Sequence, residues 1–177
     1  ILIENGVDKS IFKSQINGEI KNKKQRRVLI SAMNLSDKNK FNASTLKFFE
    51  DYKANEVLLI LVGQSSNLNF DSKFKVKLMG LIQDEHAKAN LYRSADVLFY
   101  PSLAESCGLT ILEAVCCNLP VLCFSNTAIT ELILKHNLNF LEKRDKLFEN
   151  LKKPCSEKVL DIKEMYQEYK KLYETFS

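Results

Sequence analysis

The chain has 177 residues, 45% hydrophobic and 27% charged, which is the balance of a globular domain and excludes a disordered, collagen-like or disulfide-stapled chain. The formal charge of +4 lies in residues 1–27, where Lys9, Lys13, Lys21, Lys23, Lys24, Arg26 and Arg27 meet Glu4, Asp8 and Glu19; residues 28–177 carry nineteen charges of each sign. Nucleic-acid binders spread Lys and Arg over a folded face, so no nucleic-acid partner is expected of the fold, and KNKKQRR (21–27) is read as a solvated loop, with contact to anionic lipid or nucleic acid as the alternative.

Residues 1–27 read as irregular and solvated. RVLISAM (27–33) is an apolar run of strand length. Residues 43–54 place Leu46, Phe49 and Tyr52 on one side, as a helix does. VLLILVG (57–63) is continuously apolar, the mark of a strand covered on both faces, and FKVKLMG (74–80) alternates. Residues 84–94 follow as a helix with Asp84 as N-cap. DVLFYPS (96–102) is a strand and GLTILEAVCCN (108–118) a helix, with Asn118 suited to the left-handed position after its end and Pro120 barring continuation. VLCF (121–124) is a strand, 127–136 a helix opened by Asn126 or Thr127, and NFL (139–141) a last short strand. Helices are expected at 144–152 and 156–176, the second with apolar residues at 159, 162, 166, 169, 173 and 176 forming one sticky face.

Strands and helices in regular alternation predict βαβ units and therefore an α/β fold: a Rossmann-like open parallel sheet with helices on both faces. Residues 28–155 form that domain, 1–27 a linker and basic segment, and 156–177 a C-terminal helix that packs on the domain or crosses toward another. Five cysteines, an odd number without a CxxC pair, fit reduced thiols in a cytosolic protein and give no zinc pattern. No apolar run approaches the ~20 residues of a membrane span, and no signal peptide is visible. The first residue is Ile, read here as the start of a fragment of something longer.

In open parallel sheets ligands sit beyond the carboxyl ends of the strands, so chemistry is sought in 34–42, 63–66, 80–83, 101–109 and 125–127. The densest is PSLAESCGLTILEA (101–114). Ser106, Cys107 and Gly108 make a turn, and the first amides of the helix behind it, at Leu109 and Thr110, offer an anion site at the positive end of a helix dipole. Gly108 is expected to let the backbone approach a ligand closely. Glu105 and Glu113 flank that site, with Glu113 pointing away from an apolar face of Leu109, Leu112 and Cys116. Carboxylates do not favour a phosphate; they make sense as acceptors from sugar hydroxyls on either side of a diphosphate. Taken alone, an E-x7-E pair is a cap and a surface residue; its setting gives it weight. Cys107 at a helix start is read as a filler of the turn, with a reactive thiol as the alternative. His86 and His136 are read as surface residues without a catalytic role.

These residues carry a resemblance. LYRSADVLFYPSLAESCGLTILEAVCCNLPVLCFSNTAITELI (91–133) resembles the donor-binding signature of family 4 glycosyltransferases of GT-B architecture; ENGVD (4–8) followed by Phe12 resembles that family's interdomain linker motif, RVLISAMNLSDKNK (27–40) its first strand and phosphate loop, and VLLILVGQS (57–65) its second strand. The order is collinear over roughly residues 4–140. The resemblance implies a retaining transferase. Glu113 would accept hydrogen bonds from the nucleotide ribose and Glu105 would contact the transferred sugar. Amides of Ser106, Cys107, Gly108, Leu109 and Thr110 would hold the diphosphate and sugar hydroxyls. Lys40 would neutralise the leaving diphosphate, Gly80 and Leu81 would pack against the base, and Gly63 and Asn34 would be further substrate-binding residues. It implies no cofactor and no metal.

Departures from the pattern are Asn34 where an arginine is usual, Lys40-Phe41 for a lysine-glycine pair, Cys107 for an aromatic, and Asn118 for a glycine. The resemblance further implies a nucleotide-diphosphate-sugar donor, a glycan or lipid-linked acceptor held by an N-terminal domain outside this chain, and work in the cytoplasm or at the inner face of the membrane. A non-catalytic Rossmann-like interaction module is the alternative that the altered phosphate loop favours; a GT-B epimerase or phosphorylase is a further one.

Overall fold

The computed structural model describes residues 4–14, 25–41, 43–50, 52, 53, 55–65, 75–103, 105, 107–124, 129–140, 148 and 151–175. Six parallel strands form the central sheet: β2 (Arg26–Asn34), β3 (Val57–Gln64), β4 (Lys75–Leu78), β5 (Val97–Tyr100), β6 (Val121–Cys123) and β7 (Asn139–Phe140), in the order β4-β3-β2-β5-β6-β7. The chain steps outward from β2 in one direction, then returns to its other side at β5 and steps the opposite way. The reversal lies between β2 and β5, where an open parallel sheet leaves a crevice at its carboxyl edge. The expected Rossmann-like sheet is therefore what forms.

The period of two along each strand separates two apolar layers. Leu29, Leu98 and Cys123 face a cluster completed by α1 (Glu85–Ser94), α2 (Leu109–Cys116) and α3 (Thr130–His136). Val28, Ile30, Val97, Phe99 and Leu122 face the other cluster, with Phe41, Leu46 and Phe49. There Phe49 stands edge-on to Phe99, with ring centroids 5.3 Å apart, the geometry aromatic pairs favour. Cys116, Cys117 and Cys123 are buried free thiols, pushed up to about 11, 12 and 12 by burial, which makes them inert small hydrophobes as expected.

Local signals were well placed. The Asp84 side chain accepts from the Ala87 amide at 2.7 Å and caps α1. Asn118 takes φ 57°, ending α2 two residues before Pro120. Several expectations differ from the structure. Residues 43–49 are a 3-10 turn rather than the first part of an α-helix. The final helix, α4 (Ile162–Glu174), begins six residues later than expected, because Leu160–Asp161 (β8) pair instead with Gly6–Val7 (β1). Residues 1–27 are accordingly not all irregular and solvated: Val7 and Phe12 are core residues. Residues 151–155 are not helical, and most of the helix expected at 144–152 lies outside the described residues, as do Asn126 and Thr127. On α4 none of the described residues is buried, and Tyr166 is 64% exposed.

Candidate functional site

The loops after β2 and β5 meet across the crevice. Asn34 ends β2 and turns the chain: its Oδ1 accepts from the Ser36 amide at 2.8 Å, and Asp37 accepts from the Lys40 and Phe41 amides. Phe41 is buried under the loop, which fixes the residue beside it, Lys40. From the other side the Leu103 amide donates to the Asn39 carbonyl at 2.7 Å. Lys40 Nζ then reaches Glu105 Oε2 at 2.8 Å, and the Tyr100 hydroxyl donates to the same oxygen. Burial, and after it the Glu105 carboxylate, raise the Tyr100 phenol far above its ordinary range, so it stays a donor.

Glu113, on the second turn of α2, has a parallel environment. Lys88 Nζ lies 2.7 Å from its Oε1 and the Tyr92 hydroxyl 2.9 Å from its Oε2. Burial, and after it the Glu113 charge, hold Tyr92 protonated. The Glu113 side chain is 12% exposed; it is held by α1 instead of simply turning away from an apolar face. Nor is Leu109 part of that face: it is exposed, while Ile111, Leu112, Ala114, Val115 and Cys116 are buried. The sequence reading missed Lys88, Tyr92 and Tyr100. Two of them lie four apart on α1 in LYRS and its approach, a spacing that puts them on one face.

Gly108 caps α2 in the left-handed conformation (φ 63°). The space its Cβ would take is filled by Leu132, whose Cδ1 would lie 2.7 Å away. Its reason is thus the backbone geometry and the close fit of α3, where close approach of a ligand was expected. The Leu109 and Thr110 amides head α2, where a helix supplies no acceptor of its own. Ser106 lies outside the described residues. Gly63 and Gly80 lie beside each other at the carboxyl edge: the Gly63 amide donates to the Gly80 carbonyl at 2.9 Å, the Met79 amide to the Leu61 carbonyl at 2.9 Å, and the Leu35 amide to the Gln64 carbonyl at 2.8 Å. Gly63 has φ 144°, and a Cβ there would sit 2.0 Å from the Ala32 carbonyl oxygen. Leu81 is part-exposed beside this rim.

A cleft of about 270 Å³ opens next to the Glu105 loop, lined among others by Glu4, Glu105, Cys107, Leu132, Lys135 and His136. Glu113 does not line it. Lys135 pairs with Glu4 at its edge. His136 is 1% exposed, with Nδ1 3.2 Å from the Cys155 carbonyl oxygen; burial lowers its pKa. It is a core histidine, not the surface residue expected, whereas His86 is exposed. Among the described residues no cluster of three His, Cys, Asp or Glu is placed to hold a metal.

In solved structures the chain is similar to sucrose-phosphate synthase of Thermosynechococcus elongatus (18% identical, TM-score 0.76, 99% of this chain and 52% of that one). It is also similar to Anabaena HepE, solved with UDP and glucose (17%, TM-score 0.72, 98% and 56%). At these identities the likeness is one of fold, and this chain spans about half of each. In sequence, 58 residues are 40% identical to a GDP-mannose-dependent phosphatidylinositol dimannoside mannosyltransferase of Mycobacterium tuberculosis and 38% identical to O-antigen chain mannosyltransferase B of Escherichia coli. Each match covers 33% of this chain and 15% of that protein. Residues 18–153 match the family described as glycosyl transferases group 1, well over half of the chain, and the chain therefore belongs to that family.

Proposed function

We propose that this chain is the C-terminal, donor-binding half of a retaining family 4 glycosyltransferase, moving a hexose from a nucleotide-diphosphate sugar to a glycan or lipid-linked acceptor. The observation that carries this is the meeting of Lys40 and Glu105, from the loops after the neighbouring parallel strands β2 and β5, in front of the N-terminus of α2. A diphosphate arriving there draws Lys40 from Glu105 and takes the leading amides of α2. Glu105 is then released to accept from sugar hydroxyls. Glu113 keeps lone pairs for the ribose diol, since each carboxylate oxygen accepts more than one hydrogen bond. As the glycosidic bond breaks, negative charge grows on the departing phosphate, and Lys40 with the α2 dipole stabilises it. This role falls to the protein's own groups, without a metal. Gly63, Gly80, Leu81 and Asn34 border the base and phosphate side.

The acceptor half is supplied by an N-terminal domain outside this chain, and the work is placed in the cytoplasm, with membrane contact where the acceptor is a lipid. Alignment of donor and acceptor is worth orders of magnitude, so the chain alone binds donor and transfers no measurable sugar. Calorimetry with GDP-mannose, UDP-glucose and an ADP-hexose tests the reading: one of them binds, and Glu113→Ala removes it. The second reading, a non-catalytic module, is favoured by Asn34, which stands where an arginine is usual and folds onto its own loop. Failure of every sugar nucleotide to bind a folded sample would establish it instead.

A further inference from the structure

The side chains that hold Glu113 also hold the N-terminal segment. Residues 8–12 form one tight turn, in which the Asp8 carbonyl accepts from the Ile11 and Phe12 amides. The turn presents Phe12 to α1, where it is 2% exposed. Its ring centroid lies 6.1 Å from that of Tyr92, and Lys88 Nζ stands 5.4 Å from the Phe12 centroid. One residue past Tyr92, the Arg93 guanidinium donates to the Ile11 and Lys13 carbonyls. Just before this turn, the β1 pairing with β8 and the Lys135–Glu4 ion pair fix the segment to the rest of the domain. Lys88 thus touches an aromatic face and a carboxylate at once, and Tyr92 packs against the same ring while donating to the same carboxylate.

We infer that docking of residues 8–13 on α1 sets the geometry of Glu113, with Phe12 as the positioning residue and Lys88 and Tyr92 as the shared contacts. The inference rests on reading Glu113 as the ribose acceptor. Lys88 has a long stem with several rotamers, and the Phe12 face narrows them by attracting the ammonium to one side. Tyr92 is confined between Phe12 and Glu113. Without the ring, both donors regain freedom, and the carboxylate is presented in more than one orientation. Occupancy of the segment on α1 then regulates nucleoside affinity from a position that touches no ligand.

The test uses Phe12→Leu, which keeps apolar bulk, and Lys88→Met, which keeps the stem without the charge. Calorimetry with UDP, GDP and ADP is set beside pyrophosphate, which has no ribose. Phe12→Leu is expected to weaken the nucleotide that binds by about tenfold, the scale of a lost cation–π contact and its consequences, and to leave pyrophosphate unchanged; Phe12→Tyr restores the nucleotide. Equal loss of pyrophosphate would mean general loosening and would overturn the inference. Glu113→Gln separates the two levels. If it weakens the nucleotide while Phe12→Leu and Lys88→Met do not, the inference fails and the ribose reading stands. If it changes nothing, the ribose reading fails. A ligand-free readout decides the coupling itself: the Glu113 carboxyl carbon resonance should move in Phe12→Leu while that of Glu105 stays. An unmoved Glu113 resonance refutes the coupling whatever the nucleotides do.

Discussion

Glu105 and Glu113 are near twins in environment and opposites in construction. Each is about one-eighth exposed, and among the described residues each is held by a lysine and a tyrosine. Glu105, however, lies in a loop, its lysine comes from a different loop, and lysine and tyrosine converge on one oxygen. Glu113 is on a helix, both of its partners are on a second helix, and they take different oxygens. Helix-borne donors four residues apart keep their spacing; loop-borne ones keep it only while both loops stay put. The Glu113 site is therefore preorganised, and the Glu105 site is suited to exchanging partners when an anion arrives.

That contrast can be broken. The largest effect is expected from Glu113→Ala, which removes a fixed acceptor: calorimetry should show nucleoside diphosphate binding falling by about a hundredfold, the loss of two hydrogen bonds to a charged group. Glu105→Ala should leave the nucleoside diphosphate nearly untouched and weaken only the sugar-bearing donor. Equal losses on both ligands from both variants would erase the distinction. Lys40→Ala comes next, with about tenfold weaker binding of the diphosphate and no effect on the free nucleoside; a loss on the nucleoside would move Lys40 to the wrong side of the site.

Smaller changes sharpen the comparison. Tyr92→Phe and Tyr100→Phe each remove one hydroxyl, worth about threefold to tenfold, the first on any nucleotide and the second only on one that carries a hexose. The smallest effect concerns the cleft beside Glu105. His136 has its pKa lowered by burial below its ordinary 6.5, so the folded chain binds fewer protons than the unfolded one in that range. Stability is full above pH 6.5 and is lost as pH falls through the folded value. Denaturant midpoints followed from pH 8 to pH 5 should slope downward below 6.5, and His136→Gln should flatten that slope. An unchanged slope would remove His136 from the acid response.

Much of the fold was legible because its signals are local. Asp84 before α1, Asn118 and Pro120 after α2, and the unbroken apolar run of β3 each act within a few residues. The start of α4 was misjudged because Leu160–Asp161 are claimed by residues more than 150 positions earlier, and periodicity holds no trace of such pairing. A local sign was nonetheless there: Asp161 and Glu164 form a capping box at the true start. The two acids of the candidate site were visible in the Glu105 to Glu113 spacing and its setting. Their holders were not, since Lys88 and Tyr92 become meaningful only when α1 packs against α2, and Tyr100 only when the turn after β5 folds Glu105 back on it.

The absent side chain at position 63 has a thermodynamic consequence. With the Ala32 carbonyl where a Cβ would stand, the ends of β2 and β3 touch backbone to backbone, and three backbone hydrogen bonds sew the connections at 35, 64 and 80 into one rim. A rim already sewn loses little freedom when a guest settles against it. Association on that side should thus carry a small entropic penalty, and replacing Gly63 by even alanine would unpick the seam before it altered any contact with the guest.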